Sequence, residues 1–177
     1  LYLDEGKERF FLGSKAQHAA EAYVFARYHM YRNVYFHKAT RSAEVMLGSL
    51  LERLSDHVER GNGTSNLQAN LSPTVLSVFE DSINLEAFLS LDDASLVQTL
   101  KVCKYSQDNT LRMLAEGLLE RNLFKSVEFT NADPTILPDF QSSAKERING
   151  MGLDADACLL SDSPGDKPYE PYNPDSE

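Results

Sequence analysis

The sequence predicts a mainly α-helical protein that closes in a small α+β lobe. Three observations carry this. From Lys15 to about Arg60 the residue pattern is helical, and Leu47, Leu50, Leu51, Leu54 and Val58 recur on one stripe. From Ser72 to about Arg121, helix-start signals alternate with further apolar stripes. At Leu123 the character changes to a strand–helix–strand pattern that then stops.

Taken in order, Leu1–Leu3 and Phe10–Leu12 are short apolar runs around Glu5-Gly6-Lys7, as in a hairpin or two short extended pieces. The long helical stretch follows, and Gly61 offers it a C-terminal stop. Gly61–Leu71 reads as a Gly/Asn/Ser loop. Ser72-Pro73 is an N-cap followed by Pro at the first helical position, and short helices run to about Leu89. Asp92–Tyr105 and Asn109–Arg121 are helices, with Leu96, Leu100, Cys103 and then Leu111, Leu114, Ala115, Leu118, Leu119 inward. Phe124–Phe129 and Ala157–Leu160 are strand candidates, and Pro138–Asn149 is an amphipathic helix closed by Gly150. The tail 163–177, rich in Pro, Gly, Asp and Tyr, is not regular helix. The expected organisation is a helical part over 1–122 and the start of an α+β lobe over 123–177.

The 177 residues are 42% hydrophobic and 25% charged, enough to bury a sizeable core. A formal charge of −10 argues against a general grip on nucleic-acid backbones, which needs a dominant positive surface. A small anion is still within reach of one well-placed Arg. No apolar run approaches the roughly 18 residues of a membrane helix, and residues 1–8 do not read as a signal peptide. Opening without Met on strand-like residues, the chain is expected to begin inside a larger protein. Cys103 and Cys158 lie far apart in apolar surroundings, as two free thiols of a reducing cytosol would. The sequons at Asn62 and Asn70 read as chance.

The densest cluster of useful groups runs from Arg27 to Lys38. On a helix, Arg27, Tyr31 and Tyr35 share one face, with Lys38 close to the same stripe. A guanidinium makes forked contacts with phosphate oxygens, and phenols offer both a stacking surface and a hydroxyl. The competing reading is that Tyr23, Tyr28, Tyr31 and Tyr35, mixed with Phe and Met, simply pack. The four histidines, His18, His29, His37 and His57, show no helical metal-ligand spacing. Asp56-His57 is Asp-His rather than His-Asp, Asp92-Asp93 suits a helix N-terminus, and Asp154 with Asp156 suits a solvated loop. No phosphate-binding glycine loop and no nucleophile–His arrangement is present.

The segment ARYHMYRNVYFHKATRSAEVML, residues 26–47, resembles a signature of the bacterial HD-superfamily phosphohydrolases related to deoxynucleoside triphosphate triphosphohydrolases. LLERNLFKSVEF, residues 118–129, is similar to that family's junction between helical core and C-terminal lobe. DSPGDKPYEPY, residues 162–172, is similar to its Ser-Asp-x-Pro-Tyr-x-Pro-Tyr stretch, and LSLDDASL fits the order.

The resemblance implies a helical HD-type core region followed by a truncated small α+β lobe. It implies hydrolysis of phosphate esters or anhydrides, often of nucleotides, with a divalent metal held by His, His-Asp and a distant Asp. That ligand pattern is not found in these residues and is expected before Leu1, so no metal or other cofactor is expected here. Residue by residue, the resemblance puts Arg27 at a substrate-phosphate contact and Tyr35 beside the nucleoside. It puts His37 and Lys38 at positions that serve a regulatory nucleotide in the animal enzymes. Phe36 stands where those enzymes carry a polar residue.

Two functions are therefore expected from different classes. One is a portion of a metal-dependent phosphohydrolase acting on (deoxy)nucleotides or related phosphate compounds. In it Arg27, Tyr31 and Tyr35 contact a nucleotide or small phosphate substrate and other surfaces build a homo-oligomer in the cytoplasm, without nucleic acid or membrane. The other is a non-catalytic helical module for interaction or nucleotide sensing.

Overall fold

The computed structural model describes residues 2–4, 6, 9–59, 65–79, 84–129 and 136–163. They are mainly helical, as the sequence predicts, and they fall into two compact units, residues 1–40 with 163–177 and residues 41–162.

In the first unit, β1 (Tyr2–Asp4) pairs antiparallel with β2 (Arg9–Phe11), with Leu3 opposite Phe10, and Gly6 lies in the turn. A 3₁₀ turn, Ser14–Ala16, leads into α1 (Gln17–Met30). The helix does not run on unchanged. Over Tyr31–Tyr35 it widens to a π-helical turn, with the Phe36 N–H reaching the Tyr31 carbonyl at 2.8 Å. The chain then enters α2 (Lys38–Glu59).

The second unit is built on α2. Met46, Leu50 and Leu54 are fully buried along one side. They meet Leu67 of α3 (Ser65–Asn70), Leu71, Val75 of α4 (Pro73–Leu76), Leu100 and Cys103 of α6 (Asp93–Cys103), and Leu111, Leu114 and Ala115 of α7 (Asn109–Leu119). Leu47, Leu51 and Val58 flank this core, so the predicted α2 stripe faces inward. Between α4 and α6 lie a 3₁₀ turn, Ser77–Phe79, and α5 (Leu85–Leu89). Both cysteines are free. Burial pushes the Cys103 thiol up to about 12, which leaves it inert.

Polar residues fix the helix ends and the loops. Ser72 caps α4 by accepting from the Val75 N–H, with Pro73 at the first position. Asp92 caps α6 through the Ser95 N–H. Two serines of α2 hold passing chain: Ser42 donates to the Phe124 carbonyl at 2.7 Å and Ser49 to the Ala157 carbonyl at 2.8 Å.

Several expectations need correction. Phe124–Phe129 is irregular chain rather than a strand. Ala157–Leu160 is not a strand either, since Ala155–Cys158 forms the short helix α9. A short apolar run has no usable period, and here Ser42 and Ser49 each anchor one carbonyl, that of Phe124 and that of Ala157. The α+β lobe therefore shows no strand among the described residues after 122. Residues 65–70 of the expected loop are helix α3. The helix expected at Pro138 starts earlier, as α8 (Ile136–Gly150). Its cap glycine is Gly152, not Gly150. Gly152 takes φ +72°, and the Leu153 N–H returns to the Ile148 carbonyl at 3.3 Å. The stop expected at Gly61 and the tail from 164 lie outside the described residues.

Two glycines of this unit give a stability test with opposite signs. A Cβ at Gly48 on α2 meets nothing within 4 Å, whereas one at Gly117 on α7 would sit 2.8 Å from the Met46 methyl and 3.0 Å from the Asn122 carbonyl oxygen. Gly48→Ala is expected to stabilise by about 0.5–1 kcal/mol through helix propensity. Gly117→Ala is expected to destabilise by about 1–3 kcal/mol, less the same helical gain, because a backbone carbonyl cannot step aside. Urea denaturation of the two variants checks both signs.

Candidate functional site

The face expected from the sequence forms on the first unit. Arg27 and Tyr31 are four apart and meet: the guanidinium NH2 donates to the Tyr31 hydroxyl at 3.1 Å, and its carbon lies 5.0 Å from the ring centre. Tyr35 continues the stripe, its ring 5.0 Å from that of Tyr31. Phe36 also meets Tyr31, edge to face at 5.7 Å. Beside this stripe a second pair repeats the motif, with Arg32 donating to the Tyr28 hydroxyl at 3.4 Å. His37 accepts from the Ala39 N–H at 3.3 Å through Nδ1, which ties its ring to the start of α2. Lys38, the first residue of that helix, is exposed.

Charge is distributed unevenly here. Between Leu12 and Thr40 the cations are Lys15, Arg27, Arg32 and Lys38, and the sole acid is Glu21, in a chain whose formal charge is −10. Glu21 is drawn to the start of α1, where Gln17 donates to it at 2.9 Å. The Arg27 stripe is thus locally positive and rich in phenol hydroxyls, a combination suited to phosphate oxygens. Arg27 itself is exposed, and Tyr35 is 46% exposed, so the described residues present an open face there rather than the cleft expected around Arg27.

A second polar cluster lies in the other unit. Asp108 accepts from Arg53 Nε at 2.7 Å and pairs with His57 Nε2 at 2.7 Å, both from α2. Its other oxygen caps α7 by accepting from the Thr110 and Leu111 N–H groups. Arg53 also reaches Asp154 at 2.6 Å, and the Asp154 N–H donates to the Thr110 hydroxyl at 2.9 Å. Burial pushes the Asp108 carboxyl up, but the Leu111 N–H, Arg53 and His57 together outweigh it and hold the group below its ordinary value. Arg53 in turn holds the Asp154 carboxyl low. Both carboxylates of the cluster are engaged by groups of the protein, which makes it a joint between helices.

The sequence reading missed this joint. Asp108 directly precedes the first turn of α7, and Arg53 and His57 are four apart on one helix face. Those two signals together could have found it. Arg41 makes a similar clasp, with its Nε on Asp162 at 2.7 Å, a second nitrogen on the other Asp162 oxygen, and Glu44 at 2.6 Å.

Among the described residues, no three His, Cys, Asp or Glu side chains gather in a way that could hold a metal ion. Among the described residues, no helix is long and apolar enough to cross a membrane.

Comparison with known proteins places the chain among relatives of the same kind. The HD associated region family matches residues 3–70, which include the whole stripe. The uncharacterised protein YwfO of Bacillus subtilis (strain 168) is 31% identical over 172 residues, covering 97% of this chain and 38% of that protein. The crystal structure of a phosphohydrolase from Bacteroides thetaiotaomicron matches with a TM-score of 0.68 at 26% identity, over 86% of this chain and 39% of that one. The chain thus spans well under half the length of these relatives. It is related to the HD-type phosphohydrolases.

The Asp108 joint yields a pH prediction. Its folded value lies below the ordinary carboxylate value of about 3.9, so its contribution is complete above that pH and is lost as pH falls through the lower, folded value. Asp108→Ala is expected to cost about 3 kcal/mol at neutral pH, since it removes a helix cap and leaves Arg53 and His57 without their shared acceptor. The variant should also show a shallower loss of stability below about pH 4. Melting curves at neutral pH and between about pH 2 and 5 measure both effects.

Proposed function

We propose that this chain is a portion of a metal-dependent phosphohydrolase of the HD type that acts on (deoxy)nucleotides or related small phosphate compounds in the cytoplasm. Arg27, Tyr31 and Tyr35 supply phosphate and ring contacts to the substrate, and His37 and Lys38 are candidates for a second, regulatory nucleotide. The divalent metal is held by ligands outside these residues. Other faces of the chain take part in a homo-oligomer.

The observation that carries this reading is the Arg27–Tyr31 pair. Its guanidinium is already oriented by a phenol on the next turn, with donors left over for an anion. Charge-assisted contacts of this kind are shorter and stronger than neutral ones, and a fixed guanidinium loses less freedom on binding. Its role toward the reacting phosphate is to neutralise charge and hold the group in place, not to move a proton.

The exposure of Arg27 favours keeping a second reading, a helical module that senses a nucleotide or docks a partner without catalysis. The two share the anion contact and differ in whether losing it slows turnover.

Calorimetric titration with inorganic tripolyphosphate tests the shared step. Arg27→Ala is expected to weaken binding by about 1.5–3 kcal/mol. Arg27→Lys should restore only part of that, because an ammonium cannot make the forked contact. Equal affinity in all three proteins would defeat the reading. If Arg27 only holds structure together, Arg27→Ala would lower the melting temperature and leave affinity unchanged.

A further inference from the structure

The π-helical turn at Tyr31–Tyr35 has a consequence for one residue that the phosphate reading leaves without a role. In an α-helix, residue i+5 lies about 140° around the axis from residue i. Phe36 would then point away from Tyr31. The turn is instead closed by an i to i+5 hydrogen bond, Phe36 N–H to Tyr31 carbonyl at 2.8 Å, which places Phe36 nearly over Tyr31. Tyr35 would meet Tyr31 in an ordinary helix too, since it is four residues on. Only the wide turn brings Phe36 in.

The result is an aromatic bracket. Tyr31 meets both Tyr35 at 5.0 Å and Phe36 at 5.7 Å, and it is half-buried, whereas Arg27 and Tyr35 are exposed. With its ring gripped on one side, Tyr31 presents both its hydroxyl and its ring to the Arg27 guanidinium. An exposed Arg otherwise samples many rotamers, and ordering it on binding costs free energy.

We infer that Phe36 is a positioning residue for the anion contact: carried over Tyr31 by the π-helical turn, it fixes the Tyr31 ring and, through it, the Arg27 guanidinium. This rests on the phosphate reading above for its purpose, but the geometry it asserts can be measured without any ligand. The contact through which Phe36 acts is its ring against that of Tyr31.

The test uses the full chain and two readouts. The first is the NMR signal of the Arg27 side-chain Nε–H, identified by its loss in Arg27→Lys. In the parent sequence it should be displaced by the Tyr31 ring current. Phe36→Ala should move it toward the position seen in Tyr31→Ala, while Val34→Ala, at an exposed position two residues away, should leave it in place. Phe36→Leu, which keeps apolar volume and guards against misfolding, should give a smaller shift in the same direction. The second readout is tripolyphosphate affinity, expected to fall about three- to tenfold in Phe36→Ala with the melting temperature little changed.

An Arg27 signal unmoved in both Phe36 variants overturns the positioning role. A moved signal with unchanged affinity overturns its link to anion binding. If the parent chain binds no tripolyphosphate, the phosphate reading falls, and the Arg27 signal still decides whether Phe36 positions the guanidinium.

Discussion

Asp108 stands between helices that would otherwise present unpaired polar groups to one another. It caps α7, accepts from Arg53 and pairs with His57, and Arg53 extends the chain of contacts to Asp154 ahead of α9. An arginine, a histidine and two backbone N–H groups converge on one carboxylate that is 12% exposed in its side chain. Removing the carboxylate would leave Arg53 with Asp154 alone and take from His57 its partner in a partly desolvated position, the costly direction in which to break such a cluster. The joint sits beside the apolar layer of Leu50, Leu54, Leu111 and Leu114 and fixes the end of α7 against α2. The core fixes which faces are buried, and the joint fixes how far along α2 the start of α7 lies.

The first unit follows a different logic. On α1 and the π-helical turn, no residue is buried. Tyr23 and Phe25 are 66% and 67% exposed, and the cations there outnumber the single acid, Glu21, where the chain as a whole is acidic. Its polar contacts are made between neighbours along the same segment, Arg27 with Tyr31 and Arg32 with Tyr28. In the second unit side chains are tied across the fold, and in the first they are arranged along a surface. That contrast is why the functional proposal rests on the first unit and the stability predictions on the second.

Much of the helical framework was legible because its signals are local. Ser72-Pro73 and Asp92 mark helix starts by their own chemistry, and the Leu stripe of α2 records the core directly. The strands expected at Phe124–Phe129 and Ala157–Leu160 are absent: the first segment is irregular chain anchored by Ser42 at the Phe124 carbonyl, and the second overlaps a short helix capped by Asp154. The left-handed turn went to Gly152 rather than Gly150, a choice between two glycines that periodicity does not register. At the site, the Arg27, Tyr31 and Tyr35 stripe follows from spacing alone. The π-helical turn does not, since nothing in YRNVY separates it from an α-helix, and with it the part of Phe36 was hidden. The cleft expected around Arg27 came from the resemblance, and the described residues leave Arg27 open.

The central claim is that the Arg27–Lys38 face, not the clasps around Arg41 and Arg53, meets phosphate. Mapping backbone amide shifts of the isotopically labelled chain during a tripolyphosphate titration tests it most directly. All three arginines are cationic, but Arg41 and Arg53 are already engaged by carboxylates. The account predicts saturable shifts concentrated between Arg27 and Lys38, with residues around Arg41 and Arg53 unmoved. Shifts centred on Arg41 or Arg53, or weak shifts scattered over the surface without saturation, would contradict it.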